Sequence, residues 1–278
     1  MARPAGTSQD PTVHSTTPGG KEQLLVALAG ELAEAACSRI PVPALAGRFP
    51  GLTLEDSYRI QQINVERRVS GGARVAGHKI GLTSPAMQQQ MGIHEPDSGF
   101  ILGDMVEPSG CRLRAADFMN PRIETEIAFR LGHDLAGPVD LGAVRGAVAE
   151  VFLAFEVLDI SYTGWDITLV DSIADNAACA RVILGSPVPF DPAADLGAEQ
   201  IVTSVNGHTA ATGEGRDILG DPLKALVWLT HRLPVLGTTL RAGDIVLAGS
   251  VHASFPLTSD TNIRATSTHL PAVHLHVL

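Results

Sequence analysis

Pro121-Arg122-Ile123-Glu124-Thr125-Glu126-Ile127-Ala128-Phe129-Arg130-Leu131, followed by Val151-Phe152-Leu153-Ala154-Phe155-Glu156-Val157-Leu158-Asp159-Ile160, decides the fold. In the first segment Ile123, Thr125, Ile127, Phe129 and Leu131 alternate with Glu124, Glu126 and Ala128, which is the period of two of a strand with one apolar face. The second is apolar on both faces, as a strand buried within a sheet must be. Outward from this pair, residues 74–80, 201–205 and 245–247 read as further short strands. Helices are predicted on the N-terminal side. Leu24, Leu25, Leu28, Leu32, Ala35 and Ala36 recur at helical spacing, and Thr53-Leu54-Glu55-Asp56 forms a capping box opening a helix through Val69. Ser84 and Pro85 open a short helix that Gly92 ends, and Pro96-Asp97-Ser98-Gly99 reads as a turn. Residues 143–149 and 223–232 carry helical patterns. Helices early and strands late favour α+β over a regular series of βαβ units.

The rest of the composition narrows the function. The 278 residues are 45% hydrophobic and 18% charged, enough to bury a sizeable core. Thirty acidic against twenty basic residues leave a net charge of -10, which repels phosphate and argues against nucleic-acid or anionic-membrane partners. Cys37, Cys111 and Cys179 are widely spaced, with neither a disulfide framework nor a CxxC pair. The longest apolar runs fall short of the roughly 20 residues of a membrane span, so a soluble cytoplasmic protein is expected. Residues 1–20, rich in Pro, Gly, Ser and Thr, read as a disordered extension. One domain is expected over 21–278, with a helical layer at 21–72 and a strand core at 73–278. No GxGxxG after a strand, GxxxxGK[ST], HExxH or GxSxG occurs.

The chemistry-bearing residues are acidic. Glu124 and Glu126 project from one face of their strand, which alone is ordinary solvent-facing design. Glu156 changes the balance, because an isolated carboxylate inside an apolar strand costs several kcal/mol. It needs an Arg or Lys partner, a raised pKa, or a divalent cation shared with the glutamate pair. Three carboxylates without thiolate or paired imidazole favour Mg²⁺ or Mn²⁺ over zinc. His274 and His276 share a strand face but lack a third ligand, and read as a surface feature. Lys79, just before Gly81, reads equally as a salt-bridge partner or as a group that attracts a substrate carboxylate and trades a proton. Asp97 alone reads as a turn-former.

Gly77-His78-Lys79-Ile80-Gly81-Leu82-Thr83-Ser84-Pro85, Gln88-Gln89-Gln90-Met91-Gly92, Pro96-Asp97-x-Gly99, Pro121-Arg122-Ile123-Glu124-x-Glu126-Ile127-Ala128, Glu156-Val157-Leu158-Asp159, Ala174-Asp175-Asn176-Ala177 and Leu219-Gly220-x-Pro222 occur in this order. The set resembles the 2-keto-4-pentenoate hydratase and 4-oxalocrotonate decarboxylase family of the fumarylacetoacetate hydrolase superfamily. The resemblance implies a mixed β-roll, one Mg²⁺ or Mn²⁺ on Glu124, Glu126 and Glu156, acid-base work by Lys79 and Asp97, and substrate contacts at Leu82, Ser84, Asp175, Asn176 and Ser250. It further implies a role in aromatic catabolism, a homo-oligomer, and association with another enzyme of the same pathway. The implied reaction is addition of water to a 2-hydroxy-2,4-dienoate to give a 4-hydroxy-2-oxo acid. Alternatives are a 2-oxo acid decarboxylase or diverged biosynthetic member, and, in another class, a non-catalytic scaffold subunit. Three departures are visible: Ala178 where the family commonly has Ser, Ala248-Gly249 for the usual Thr-Gly with Ser250 as a substitute hydroxyl, and an atypical ending over 251–278. Lost hydroxyls imply a larger or less polar ligand, or a weaker enzyme.

Overall fold

The computed structural model describes residues 18–278. The helical layer comprises α1 (Pro18–Ser38), α2 (Leu45–Arg48) and α3 (Leu54–Ser70). The strand region follows with β1 (Val75–Gly81), α4 (Pro85–Met91), β2 (Asp97–Leu102), β3 (Val106–Pro108), β4 (Arg112–Leu113), β5 (Arg122–Leu131), α5 (Leu141–Ala147) and β6 (Val148–Leu158). It continues through α6 (Leu169–Ala174), β7 (Cys179–Leu184), β8 (Val188–Pro189), β9 (Gln200–Val205), β10 (His208–Glu214), α7 (Leu223–Arg232), β11 (Ile245–Ser250), β12 (Phe255–Pro256), β13 (Thr261–Thr266) and β14 (Val273–Val277). This is the expected α+β class, a mixed, curled β-roll sheet beneath an N-terminal helical layer.

The larger sheet runs β2-β1-β11-β5-β6-β7-β3, with β12 on β5 and β8 on β6. The smaller runs β10-β9-β13-β14-β4. β5 and β6 form the antiparallel spine of the larger sheet, in register so that Glu124 lies opposite Glu156 and Ile123 opposite Val157. One face of this spine, carrying Ile123, Ile127, Phe129, Phe155 and Val157, packs into the main core with α7 and the smaller sheet. On the other face Ala128, Ala154 and Phe152 join Ile101, Val182 and Leu247 in a second apolar cluster. α1, α2 and α3 close a third cluster against Leu158, Ile160 and Tyr162.

Local signals hold where capping chemistry is complete. Thr53 and Asp56 exchange the reciprocal bonds of a capping box, 2.9 Å and 3.2 Å. Ser84 caps α4 and Gly92 ends it in the left-handed conformation, at φ 66°. Several expectations are corrected. β5 is buried on both faces, so Glu124 and Glu126 do not face solvent. Pro96 to Gly99 is not a free turn: from Asp97 onward the chain is a strand, because β1 supplies an antiparallel partner from Gly81↔Asp97 to Val75↔Leu102. The helix read over 143–149 gives way to strand at Val148, where β6 gains its pairing with β5. Residues 18–20 of the expected disordered extension belong to α1; the rest of that segment lies outside the described residues. Among the described residues no helix is long and apolar enough to cross a membrane.

Candidate metal and acid-base centre

Sheet register builds the site. The pleat puts Glu124 and Glu126 on one face of β5, and pairing brings Glu156 of β6 directly opposite Glu124. One carboxylate oxygen from each lies within 4.8 Å of the others, and all three residues are buried. Glu126 spends one oxygen on the Gly249 N–H at 2.6 Å. Its other oxygen and both oxygens of Glu156 are buried without any hydrogen-bond partner among the described residues. Burial, then the negative charge of Glu156, raises the Glu124 carboxyl to about 8, and the same causes with Glu124 added hold Glu126 well above the usual range. Left to themselves Glu124 and Glu126 retain protons; a hard cation would replace them. The oxygens fit such an ion in number, type and lack of other partners.

Lys79 answers the question posed by Glu156 only in part. Its ammonium sits 3.4 Å from a Glu156 oxygen and donates to the Ala177 carbonyl at 2.9 Å. Burial alone would lower its pKa, but Glu156, Asp97 and Glu124 together raise it, so the side chain is a cation at neutral pH. One cation against three carboxylates leaves a deficit of positive charge. Asp97, across the β1/β2 pair, is buried and accepts from Ser172 Oγ at 2.6 Å through one oxygen; the other has no partner among the described residues. Gly81 explains how Lys79 and Asp97 come together. A Cβ there would lie 2.3 Å from the free Asp97 oxygen and 3.0 Å from Lys79 Nζ, so a side chain would wedge the pair apart.

The five expected substrate contacts also carry bonds within the fold. Asp175 accepts from both the Ser161 N–H and its hydroxyl, and burial raises it to about 6. Asn176 clamps Phe100 through the N–H and the carbonyl of that residue, 2.8 and 2.9 Å. A cavity of about 450 Å³ beside α1 and α3 is lined by Asp175, Asn176 and Cys179 but by none of the glutamates. Ser84 is committed to the cap of α4, and Ser250 Oγ donates to the His252 carbonyl at 2.7 Å. Leu82 offers its backbone: it is left-handed, at φ 59°, and its carbonyl accepts from Gln88. Ala178 belongs to the apolar cluster under the N-terminal helices, which accommodates a methyl where a hydroxyl would want a partner.

Sequence reading missed three contributors. Ser172, which holds Asp97, sits in a helix with no motif to mark it. Asn176, Ala177 and Ala178 are successively left-handed, at φ 55°, 52° and 62°, and so present the Ala177 carbonyl to Lys79; two alanines give no such signal. Burial, with the nearby Glu156 carboxylate second, holds the Cys179 thiol well above its usual range.

Comparison with known proteins places this geometry. Residues 83–274 match the family model described as fumarylacetoacetate (FAA) hydrolase C-terminal. A 2-keto-4-pentenoate hydratase of Burkholderia vietnamiensis (strain G4 / LMG 22486) is 39% identical over 228 residues, 82% of this chain and 87% of the relative. A 2-hydroxyhexa-2,4-dienoate hydratase of Comamonas testosteroni is 36% identical over 81% of this chain and 86% of the relative. Among solved structures, 4-oxalocrotonate decarboxylase from Pseudomonas putida G7, complexed with magnesium and adipate, superposes with a TM-score of 0.87 at 29% identity, covering 92% of this chain and 98% of that one. By fold, by family model and by identity over most of its length, this chain belongs to the fumarylacetoacetate hydrolase family, alongside the 2-keto-4-pentenoate hydratases.

Proposed function

We propose that the chain is a metal-dependent hydratase of short 2-hydroxy-2,4-dienoates, yielding 4-hydroxy-2-oxo acids. The observation that carries this reading is the buried trio Glu124, Glu126 and Glu156, with three unpartnered oxygens, flanked by an ammonium and a half-free carboxylate. The hydratase names of relatives at 36–39% identity support it. The trio would hold Mg²⁺ or Mn²⁺. When bound, such an ion supplies Lewis acidity for negative charge developing on the 2-oxygen and carboxylate of the substrate.

The chain's own residues handle protons and orientation. Ketonisation removes the proton of the 2-hydroxyl and delivers one to C5; water then adds at C4 while C3 is protonated. Asp97 offers one open oxygen for these transfers while Ser172 fixes the other, which holds the carboxylate in one rotamer. Lys79 stays cationic and is anchored by Glu156 and the Ala177 carbonyl, so it stabilises enolate charge and can lend a proton. The test is loss of dienoate ultraviolet absorbance with Mg²⁺ and with EDTA. Turnover that ignores the chelator, or none with any dienoate, defeats the proposal.

The decarboxylase reading keeps the same residues and is favoured by one observation, the 0.87 superposition on a decarboxylase. Carbon dioxide release from a 2-oxo diacid, without hydration of dienoates, would select it.

A further inference from the structure

Among the described residues, Arg122 is a charged group beside the trio to which the reading above gives no role. It opens β5 two residues before Glu124, so the pleat places both side chains on the same face. Its guanidinium is half-buried and pre-positioned: Nε donates to Ser254 Oγ at 2.8 Å, Nη2 donates to the Ser254 carbonyl, and the group lies 5.8 Å from the centre of the Trp165 ring. Ser254 is itself fixed, its hydroxyl bonded to Gln90 of α4 at 3.0 Å. Neither bond of Arg122 goes to a carboxylate, and Nη1 takes part in neither.

Charge bookkeeping says what that edge is for. Three glutamates and Asp97 carry four negative charges when ionised; Lys79 and a divalent ion return three. An anionic substrate would meet a net negative site, and Arg122 cancels the remainder. Position selects which part of the substrate it meets. Lys79 and Asp97, which must face the reacting carbons, reach the trio from β1 and β2 on its Glu156 side, Lys79 standing 3.4 Å from a Glu156 oxygen. Arg122 stands at the start of β5 on the Glu124 side of the trio, held against Ser254 and Trp165 rather than at Glu156, and so serves the end of the substrate opposite the one that Lys79 meets.

We propose that Arg122 is the carboxylate anchor of the site: its Nη1 edge receives the C1 carboxylate of a 2-oxo or 2-hydroxydienoic acid and so directs the carbon chain toward Lys79 and Asp97. The inference rests on the functional reading above. A guanidinium held by Ser254 loses little freedom when it binds, which is why Lys is not its equivalent here.

The experiment is calorimetric binding of pyruvate and of the diacid 2-oxoglutarate to Mg²⁺-loaded protein, with Mg²⁺ affinity titrated separately. Arg122→Gln is expected to weaken both acids by the same factor, about 10- to 100-fold for a lost charge-assisted hydrogen bond, without weakening Mg²⁺. Arg122→Lys is expected to recover part of the loss. Ser254→Ala, which frees the guanidinium but keeps its charge, is expected to fall between wild type and Arg122→Gln; these two variants carry the test if Arg122→Gln does not fold. Unchanged pyruvate binding in Arg122→Gln overturns the proposal, as does a loss confined to the diacid, which would assign Arg122 to a distal carboxylate, or a loss matched by weaker Mg²⁺ binding. Wild-type protein that binds Mg²⁺ but neither acid overturns the functional reading itself, a result distinguishable from failure of the Arg122 assignment.

Discussion

Adding Mg²⁺ to metal-free protein should expel protons, and the structure sets how many and over which pH range. The three carboxylate oxygens lie within 4.8 Å of one another. At an effective dielectric constant of about 20, two charges at that distance repel by about 3.5 kcal/mol, or about 2.5 pH units of pKa. Lys79 at 3.4 Å from Glu156 offsets one of the three charges by about 5 kcal/mol on the same scale. The remaining pair cannot both ionise near neutrality, and Glu124 sits at about 8 accordingly. A proton competes with the cation wherever the pH is below that value. Mg²⁺ binding at pH 7 should therefore release about two protons, one each from Glu124 and Glu126, and its affinity should rise by more than about tenfold per pH unit from pH 6 to 8, then less steeply above the Glu124 value. Stability follows the same linkage. Glu124 is raised from an ordinary 4.5, so in metal-free protein its contribution is complete below about 4.5 and is lost as the pH climbs through about 8. Saturating Mg²⁺ should flatten that decline. Calorimetry in buffers of differing ionisation enthalpy counts the protons, and thermal unfolding follows the stability. Affinity independent of pH between 6 and 8, with no proton release, would refute the coupled trio.

Removing the ammonium as Lys79→Met should lower turnover of a dienoate by about 10²–10⁴-fold and, by leaving Glu156 unpaired, destabilise the metal-free form by about 3–5 kcal/mol; absorbance kinetics and denaturant unfolding read the two effects. Gly81→Ala, whose methyl would fall 2.3 Å from the Asp97 oxygen and 3.0 Å from Lys79 Nζ, should depress kcat at least tenfold while Mg²⁺ affinity stays within about twofold, because the trio is untouched. Equal kcat in that variant would show that acid and base need not stand together. Ala177→Gly relieves a left-handed alanine at φ 52°, worth about 1–2 kcal/mol, against about 0.5–1 kcal/mol of added chain entropy. A small rise in the denaturant midpoint is expected, and a clear fall would contradict the strain assigned to that turn.

Much of this molecule was legible in its chain because some signals are local. Capping at Thr53 and Ser84 needs only residues within one turn, and the alternation of β5 needs only the pleat, so those elements stand where the pattern put them. Glu156 was legible for a different reason: a charge in a run of buried apolar residues must find compensation wherever the chain goes. Family motifs added Lys79 and Asp97, and the structure brings both beside the glutamates. Other features exist only once strands pair. Asp97 to Gly99 became strand because β1 offered open hydrogen-bonding groups, an opportunity invisible in a Pro-Gly-rich tetrapeptide. Asp175, Asn176, Ser84 and Ser250 each found a protein partner, which their positions in the chain do not announce. Ser172 and the Ala177 carbonyl come from segments whose composition says nothing, yet they fix the acid and the ammonium. The amino-acid order thus determined which residues must be buried and which charges would need partners. Only the tertiary structure decided which partners they met, because opposing Glu124 to Glu156 and Lys79 is a matter of register between strands distant along the chain, and register is set by the whole packed sheet.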